Sequence, residues 1–210
     1  MCYNAAMEIP DIPTSLHILH ERLAPTARAE ELVDSLEGYL PNARRAAVLL
    51  PLFEQDGELT LTFIRRATTL RSHSGEIAFP GGSVDPTDTS TVMTALREAQ
   101  EEIGLDPARV EVLGVLTPVF TVVSNFLITP VVAFLPRGLG ELHLQTSEVK
   151  ELIFAPLHGL ADPAILHTEQ WTRNGMARLV YFYDYGPHRI WGATGRILNA
   201  LLETLHASPS

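Results

Sequence analysis

The sequence contains a single cysteine, Cys2, among its 210 residues. One chain therefore cannot build an internal disulfide or a cysteine-rich metal site. Long hydrophobic runs are also missing, because Ala46 to Leu50 and Val131 to Leu135 are far shorter than the ~20 residues of a membrane helix. Neither end contains a basic stretch followed by an apolar one, as targeting signals do. These absences predict a protein of the reducing cytoplasm with no membrane partner.

Positive charge is scarce, with 15 Lys and Arg residues against 25 Asp and Glu residues and a formal net charge of −10. This balance argues against a protein whose main partner is nucleic acid or an anionic membrane. An anionic ligand must therefore meet a local basic patch. With 46% hydrophobic and 19% charged residues, the composition is that of an ordinary globular protein, and the length favours one compact domain.

No internal repeat or low-complexity linker divides the chain. We expect an arm at residues 1–25, which contain three prolines, and a single domain at residues 26–210. Thr26 is a plausible helix N-cap, residues 67–88 are predicted to be rich in loops, and Asn174-Gly175 is typical of a hairpin turn. Apolar spacing predicts helices at 27–40, 91–103 and 194–205, and strands at 46–53, 59–66, 110–115, 127–135, 151–155, 165–172 and 177–183. The pattern indicates a mixed α/β domain.

Three glutamates in the predicted helix 91–103 stand at positions i, i+3 and i+4. Glu98, Glu101 and Glu102 are therefore expected to share a face beside the apolar stripe of the helix. Like charges at this spacing cost about 0.2–0.5 kcal/mol per pair, and the last turn of a helix disfavours anions. A bound Mg²⁺ would reverse that cost, because it prefers carboxylate, phosphate and water oxygens. The alternative is a solvated acidic face on which Arg97 neutralises Glu101.

The context of this helix is specific. The chain reads Phe79-Pro80-Gly81-Gly82, then Asp88, then Arg97-Glu98-Ala99-Gln100-Glu101-Glu102-Ile103-Gly104-Leu105. It resembles the signature of the Nudix hydrolases: a Gly, five residues, a Glu, seven residues, then Arg-Glu-x-x-Glu-Glu-x-Gly and an aliphatic residue. The second half matches completely. The first half has Asp88 in place of the glutamate and eight residues before Arg97, so the role of Asp88 stays open.

The lengthened spacing is similar to that of one branch of the family, the coenzyme A diphosphatases. That branch also has an upstream motif, which is resembled throughout by Leu70-Arg71-Ser72-His73-Ser74-Gly75-Glu76-Ile77-Ala78-Phe79-Pro80-Gly81-Gly82. The resemblance is specific over Leu61 to Leu105, about a fifth of the chain, and looser beyond. It implies hydrolysis of coenzyme A (CoA) by water to 3′,5′-ADP and 4′-phosphopantetheine.

The resemblance also implies a fold and a set of residue roles. The family domain is an α/β/α sandwich around a mixed sheet, and its enzymes use Mg²⁺ or Mn²⁺ to hydrolyse a nucleoside diphosphate linked to another group. By analogy, Glu98 and Glu102 are the principal metal ligands, and Glu101 is a further ligand or positions the attacking water. Arg97 would orient a carboxylate, and the carbonyl oxygen of Gly81 would be another ligand.

Basic residues cluster in two short runs, Arg44-Arg45 and Arg65-Arg66, with Arg71 just beyond. We interpret Arg44-Arg45 as a solvated turn. The planar fork of an arginine can donate two hydrogen bonds to a phosphate, so the others are suited to an anionic substrate. The residues predicted to bind substrate are Arg66, Arg71, Ser72, His73 and Gly82, with no catalytic role for His73.

Three further residues lie downstream of the motif, and two of them leave alternatives open. Glu148 or Glu151 could act as a base, as a carboxylate outside the motif does in some Nudix enzymes, and both are equally compatible with surface charges. Trp191, before the last predicted helix, is interpreted as a packing residue.

Two other functions compete with CoA hydrolysis. One is hydrolysis of another nucleoside diphosphate derivative such as ADP-ribose, and the other is a Nudix module that binds a nucleotide without cleaving it. A binding module predicts a broken acid set, whereas all three motif glutamates are present. The sequence does not rank free CoA against acylated or oxidised CoA, or Mg²⁺ against Mn²⁺, and it leaves a homodimer open.

Overall fold

The computed structural model describes residues 8–38, 40, 42–68, 74–173 and 176–206. Its helices are α1 (Ile12–Arg22), α2 (Ala29–Glu37), α3 (Thr91–Ile103), α4 (Leu157–Leu160) and α5 (Gly192–His206). Its strands are β1 (Arg44–Gln55), β2 (Glu58–Arg66), β3 (Ile77–Ala78), β4 (Gly81–Ser83), β5 (Glu111–Val115), β6 (Val119–Thr121), β7 (Phe126–Leu135), β8 (Val149–Pro156), β9 (Leu166–Arg173), β10 (Met176–Tyr185) and β11 (His188–Trp191). Within these ranges no helix is both long and apolar enough to cross a bilayer.

The main sheet is built around β1, which runs parallel to β7 along its length. On its other side β1 pairs antiparallel with β2, and β2 pairs in turn with β8. Strands β5 and β6 both pair antiparallel with β7. The sheet is therefore mixed, and the predicted α/β class is confirmed.

The β1–β2 hairpin opens away from its turn, and a short segment fills the gap. Near the turn Leu52 lies opposite Leu61, but further along β4 takes the place beside β1 and β3 takes the place beside β2. Residues 77–83 therefore lie between the two diverging strands. The prediction of a loop-rich stretch at 67–88 missed these two short strands, because each is held only by long-range pairing.

Helices and a second sheet cover the two faces of the main sheet. Neighbouring strand residues point to opposite faces, so Leu49 of β1 packs with residues of α3, and Leu50 packs with residues of α1 and α5. The second sheet, ordered β11-β10-β9, contributes Tyr183 and Ile190 to the same side as Leu50. Two apolar cores, one on each face, form the predicted α/β/α arrangement.

Two hairpins are present, and the second is the one that Asn174-Gly175 predicts. Asp56 and Gly57 form the tight turn between β1 and β2, and both have positive φ angles, 53° and 80°. Two positive φ angles give the turn a twist that matches the flanking strands. Strands β9 and β10 pair antiparallel up to Arg173 and Met176, and the predicted turn residues Asn174-Gly175 lie outside the described residues.

Several predicted boundaries are wrong. Thr26 is not an N-cap, because Thr26–Arg28 form a 3₁₀ turn before α2. Helix α2 ends at Glu37 instead of Leu40. The backbone N–H of the next residue, Gly38, donates to Leu36 O and so leaves the helical hydrogen-bond pattern. The last helix starts at Gly192, two residues earlier than predicted.

Helix α1 and the short strands β6 and β11 were not predicted from the sequence. Helix α1 packs against α5 by burying Leu19 completely, and Arg22 Nη1 donates to the carbonyl oxygen of Thr204 at 2.9 Å. Strands β6 and β11 are too short to show an alternating pattern. Trp191 of β11 stacks on Phe182 of β10 with ring centres 6.0 Å apart, which is a packing contact.

Candidate active site

Helix α3 spans the predicted residues Thr91–Ile103. Its first turn is capped by Ser90, whose Oγ accepts a hydrogen bond from Met93 N at 3.2 Å. It ends at Gly104, which adopts the left-handed conformation with φ 72°. Ala95, Ala99 and Ile103 are fully buried on its inner face. Local signals therefore mark both ends of this helix, which explains why its bounds were predictable.

Both ends of α3 are held by other parts of the chain. At the start, Glu30 of α2 accepts a hydrogen bond from Thr91 N at 2.7 Å, where a carboxylate also interacts favourably with the helix dipole. At the other end, His143 N donates to Ile103 O at 3.0 Å and Gln145 N donates to Glu102 O at 2.9 Å. These bonds fix the height of the helix relative to the sheet.

Glu102 is the most buried acid of the site, with only 3% of its side chain exposed. Its Oε2 accepts a hydrogen bond from Gly81 N at 2.9 Å. Burial raises the pKa of this carboxyl to about 7, and nearby Glu98 and Glu148 add to the rise, against the opposing effects of the Gly81 N–H and of Arg66. A nearby cation would therefore stabilise the charged form of Glu102.

Glu98 lies one turn earlier, with 17% of its side chain exposed, and its Oε1 accepts from Arg97 Nη1 at 2.9 Å. Burial raises its pKa as well, partly offset by Arg97. The carboxylate lies against Gly82, where a Cβ would be 2.5 Å from its carboxyl carbon. A Cβ on Gly81 would lie 2.3 Å from the carbonyl oxygen of Ala47. Gly82 is therefore required for the backbone to approach Glu98, and Gly81 for β4 to approach β1.

Arg97 connects Glu98 to Asp88. Its Nε and Nη2 each donate to one oxygen of Asp88 at 2.9 Å, and Nη2 also donates to Ser83 O at 3.1 Å. The Asp88 side chain is 5% exposed and also accepts from Thr94 Oγ1 at 2.8 Å. Hydrogen bonds from Arg97 hold the pKa of Asp88 well below its ordinary value. Asp88 therefore fixes the arginine that orients Glu98.

Glu101 is not part of the buried pair, so the expectation that all three glutamates share one face is wrong. Its side chain is 60% exposed, and Oε2 accepts from Arg97 Nη1 at 3.2 Å. At 3.6 residues per turn, successive residues are about 100° apart, which turns Glu101 away from Glu102 and the sheet. The solvated alternative thus describes Glu101, while Glu98 and Glu102 face inward.

Arg66 is the basic residue that lies beside these acids. Its Nη1 is 3.8 Å from Glu102 Oε1, too long for a hydrogen bond, and its buried Nε has no hydrogen-bond partner among the described residues. Arg45 instead pairs with Asp34 at 2.7 Å, and Arg44 lies over the ring of Phe126.

Of the other predicted substrate residues, the structure describes Gly82. Arg71, Ser72 and His73 lie outside the described residues, whereas Gly82 lies against Glu98.

The two downstream carboxylates are separated by the structure. Glu151 accepts a hydrogen bond from Arg65 Nε at 2.5 Å and is thereby occupied in an ion pair. Glu148 is exposed, and its negative charge contributes to the raised pKa values of both Glu98 and Glu102. Its carbonyl oxygen accepts from Ala67 N at 2.7 Å, which ties it to the end of β2. Glu148 is therefore the downstream acid whose charge acts on Glu98 and Glu102.

The donor set is compatible with a divalent cation. Within the described ranges, no three carboxylate, histidine or cysteine side chains are grouped closely enough to hold a metal ion by themselves. Mg²⁺ commonly takes one or two protein carboxylates and completes its shell with phosphate oxygens and water. Glu98 and Glu102, with the backbone left open by two glycines, meet that requirement.

Comparison with known proteins places this chain in a family of pyrophosphate-bond hydrolases. The family model of the NUDIX domain matches residues 43–178. An uncharacterized Nudix hydrolase NudL of Photorhabdus laumondii is 43% identical over 162 residues, which cover 77% of this chain and 85% of the relative. Another, of Citrobacter koseri, is 36% identical over 183 residues, 87% of this chain and 94% of the relative. The chain belongs to the Nudix hydrolase family.

A similar solved structure is that of an Ap4A hydrolase binary complex of C. elegans. The two chains are 18% identical with a TM-score of 0.45, over 54% of this chain and 80% of the other. Nudix hydrolases act on nucleoside diphosphate derivatives and generally use divalent metal ions.

Proposed function

We propose that the protein hydrolyses the pyrophosphate bond of CoA or its derivatives, with Mg²⁺ or Mn²⁺, to 3′,5′-ADP and 4′-phosphopantetheine or its acylated form. The observation that carries the hydrolytic part is the pair of largely buried carboxylates, Glu98 and Glu102, against Gly81-Gly82. CoA as the substrate is supported by the resemblance of Leu70 to Gly82 to the upstream motif of the CoA diphosphatases. The single cysteine supports a cytoplasmic location.

Glu98, Glu102 and the Gly81 carbonyl oxygen are proposed to hold the cation. When bound, the cation neutralises pyrophosphate oxygens and lowers the pKa of water. Glu101 is proposed as a further ligand reached through a turn of its exposed side chain. Arg97 keeps the Glu98 carboxylate oriented toward the cation, because Asp88 and Ser83 fix the guanidinium.

Other residues are proposed to bind the substrate and to accept a proton during hydrolysis. Water attacks one phosphorus atom, the bond from that atom to the bridging oxygen breaks, and the bridging oxygen leaves with the other phosphate. Glu148 is proposed to accept the proton of the attacking water, since it is the exposed downstream acid coupled to Glu98 and Glu102. Arg66 is proposed to bind a phosphate oxygen through the terminal nitrogens of its guanidinium, because its side chain is 26% exposed and its Nη1 lies 3.8 Å from Glu102, too far for a hydrogen bond. Arg71, Ser72, His73 and Gly82 complete the proposed substrate site.

The test is product analysis by chromatography and mass spectrometry after incubation of the purified protein with CoA and Mg²⁺ or Mn²⁺. We expect 3′,5′-ADP to form with metal and not in the presence of a chelator. ADP-ribose is incubated in parallel. Cleavage of ADP-ribose alone would leave the family activity intact and overturn CoA as the substrate, and cleavage of neither would overturn the proposed reaction.

A further inference from the structure

Arg65 uses all three nitrogen atoms of its guanidinium to join elements at the end of β2. Nε donates to Glu151 Oε1 of β8 at 2.5 Å, Nη2 lies 2.6 Å from His188 Nδ1 of β11, and Nη1 donates to Gly75 O at 3.2 Å. A guanidinium has no acceptor, so His188 accepts this bond through an unprotonated Nδ1. One side chain thus ties the main sheet, the second sheet and the segment leading to β3 together.

The β2–β8 ladder is irregular at this point. Arg65 lies opposite Glu151, but the next residue, Arg66, lies opposite Val149, so Lys150 is an extra residue on β8. Such a bulge bends the strand and changes the direction of the neighbouring side chains, and bulges are frequent next to active sites. The ion pair between Arg65 and Glu151 spans the last regular position before this bulge.

Arg66 lies on the active-site side of the bulge. Its backbone is held by two bonds to the segment before β3, from Arg66 N to Glu76 O at 2.9 Å and from Gly75 N to Arg66 O at 3.2 Å. Its side chain is only 26% exposed and lies beside Glu102 without a hydrogen bond to it. The direction of the Arg66 guanidinium is therefore set by the backbone at the bulge and little by partners of its own.

We propose that Arg65 is a positioning residue that acts through Arg66. By joining Glu151, His188 and Gly75, it fixes the bulge that directs Arg66 toward the pyrophosphate of the substrate. The inference rests on the proposed function, in which Arg66 binds a phosphate oxygen. Among the described residues, the hydrogen bonds of the Arg65 side chain go to Glu151, Gly75 and His188 and none goes to Glu98 or Glu102. We therefore expect Arg65 to affect substrate binding and not the chemical step.

The first test is Arg65→Lys, which keeps the charge but cannot reach three partners at once. We expect KM for the hydrolysed substrate to rise about tenfold with kcat changed less than about twofold, because displacement of a binding group by a fraction of an ångström weakens binding. Glu151→Gln and His188→Gln should raise KM in the same direction. The matched control is Arg189→Gln. Arg189 lies next to His188 on β11, and its exposed ion pair with Asp184 of β10 is broken in this variant, so KM should stay unchanged.

The second test repeats Arg65→Lys in an Arg66→Gln background. If Arg65 acts through Arg66, its effect on KM disappears there, because the group it positions is gone. An effect of full size in that background would overturn the inference, and so would a loss of thermal stability in Arg65→Lys with KM unchanged.

A binding measurement separates this inference from the proposed function. The probe is α,β-methylene-ADP, a diphosphate that is not hydrolysed, titrated into each variant in the presence of Mg²⁺. Weaker binding by both Arg66→Gln and Arg65→Lys supports the inference. Weaker binding by Arg66→Gln alone overturns only the positioning role of Arg65. Unchanged binding by Arg66→Gln overturns the role of Arg66 in the proposed function and the inference with it.

Discussion

Arg97 binds Asp88 through two parallel hydrogen bonds, from Nε to Oδ1 and from Nη2 to Oδ2, each 2.9 Å long. The acid is one methylene shorter than the glutamate of the family signature and stands one residue further from the arginine. The backbone N–H of Asp85 donates to Asp88 Oδ2 at 2.9 Å, which holds this carboxylate in place. The shorter acid thus still fixes the arginine, together with the carbonyl oxygen of Ser83.

Substitution of Glu98 by glutamine tests the role of the buried pair. Glutamine keeps nearly the same volume but removes a charge at the cation site. We expect turnover to fall at least about a hundredfold, since a cation contributes several kcal/mol to stabilising developing phosphate charge. Circular dichroism should show an intact fold. Glu101→Gln is the control, with a smaller loss, because its carboxylate is exposed. Loss of folding with full activity per folded molecule would contradict the assignment.

Removal of the Asp88 charge should destabilise the protein as well as slow it. In Asp88→Asn, one of the two bonds to Arg97 is lost and a largely buried guanidinium loses one of its counter-charges, so we expect the free energy of unfolding to fall by about 1–2 kcal/mol. Urea unfolding at pH 7 measures the change. Asp162→Asn, which alters an exposed cap, should change it little, and an equal loss in both variants would refute the special role of Asp88.

The same pair gives a pH dependence whose sign follows from the lowered pKa of Asp88. A carboxyl with a folded-state pKa below its unfolded value of about 3.9 contributes stability that is fully present above that value and is lost as the pH falls toward the folded pKa. The difference in unfolding free energy between the wild type and Asp88→Asn should therefore be constant from pH 7 to 5 and shrink below pH 4. A difference that grows on acidification would contradict this origin.

In the metal-free protein, Glu102 should make the stability change with pH in the opposite direction. Burial raises its pKa to about 7, so the charged form is disfavoured in the folded state, and stability is lost as the pH rises from about 4.5 through 7. With a chelator present, Glu102→Gln should be more stable than the wild type at pH 8 by about 1–3 kcal/mol and equally stable at pH 4. Thermal unfolding measures both. Addition of Mg²⁺ at pH 8 should stabilise the wild type more than the variant.

The two glycines should respond differently to alanine. At Gly81 the new Cβ would meet the backbone oxygen of Ala47, which cannot move without breaking the β1–β4 pairing, so Gly81→Ala should lower the thermal stability. At Gly82 it would meet the end of the Glu98 side chain, which can swing away. Gly82→Ala should therefore fold normally and lose most of its activity. Equal losses of stability in both variants would show that Glu98 is held more rigidly than these contacts indicate.

What the sequence predicts well is local. The apolar spacing that predicts α3 lies within the helix itself, and the structure adds the cap at Ser90 and the left-handed Gly104 next to it. Helix α1 packs instead against α5, far along the chain, and β11, which pairs with its neighbour β10, has only four residues in which to show an alternating pattern. Spacing also placed three glutamates on one face, whereas packing against the sheet selects two.

The roles of paired residues were likewise beyond reach of the sequence. Arg65 and Arg66 are chemically identical neighbours that strand alternation places on opposite faces, and only the structure shows which of them lies beside Glu102. Glu148 comes just before β8, whereas Glu151 lies within it opposite Arg65. Asp88 could not be assigned from its spacing, because the turn that returns it to Arg97 is not encoded by a periodic signal.

Residues 77–83 divide their pairing between the two arms of an open hairpin, with β3 bound to β2 and β4 bound to β1. Because the carboxylate pair lies against β4, and the segment that precedes β3 is bonded separately to Arg65 and Arg66, the carboxylates and that segment are held by different strands. Substitutions in that segment should therefore leave the backbone around Glu98 and Glu102 in place.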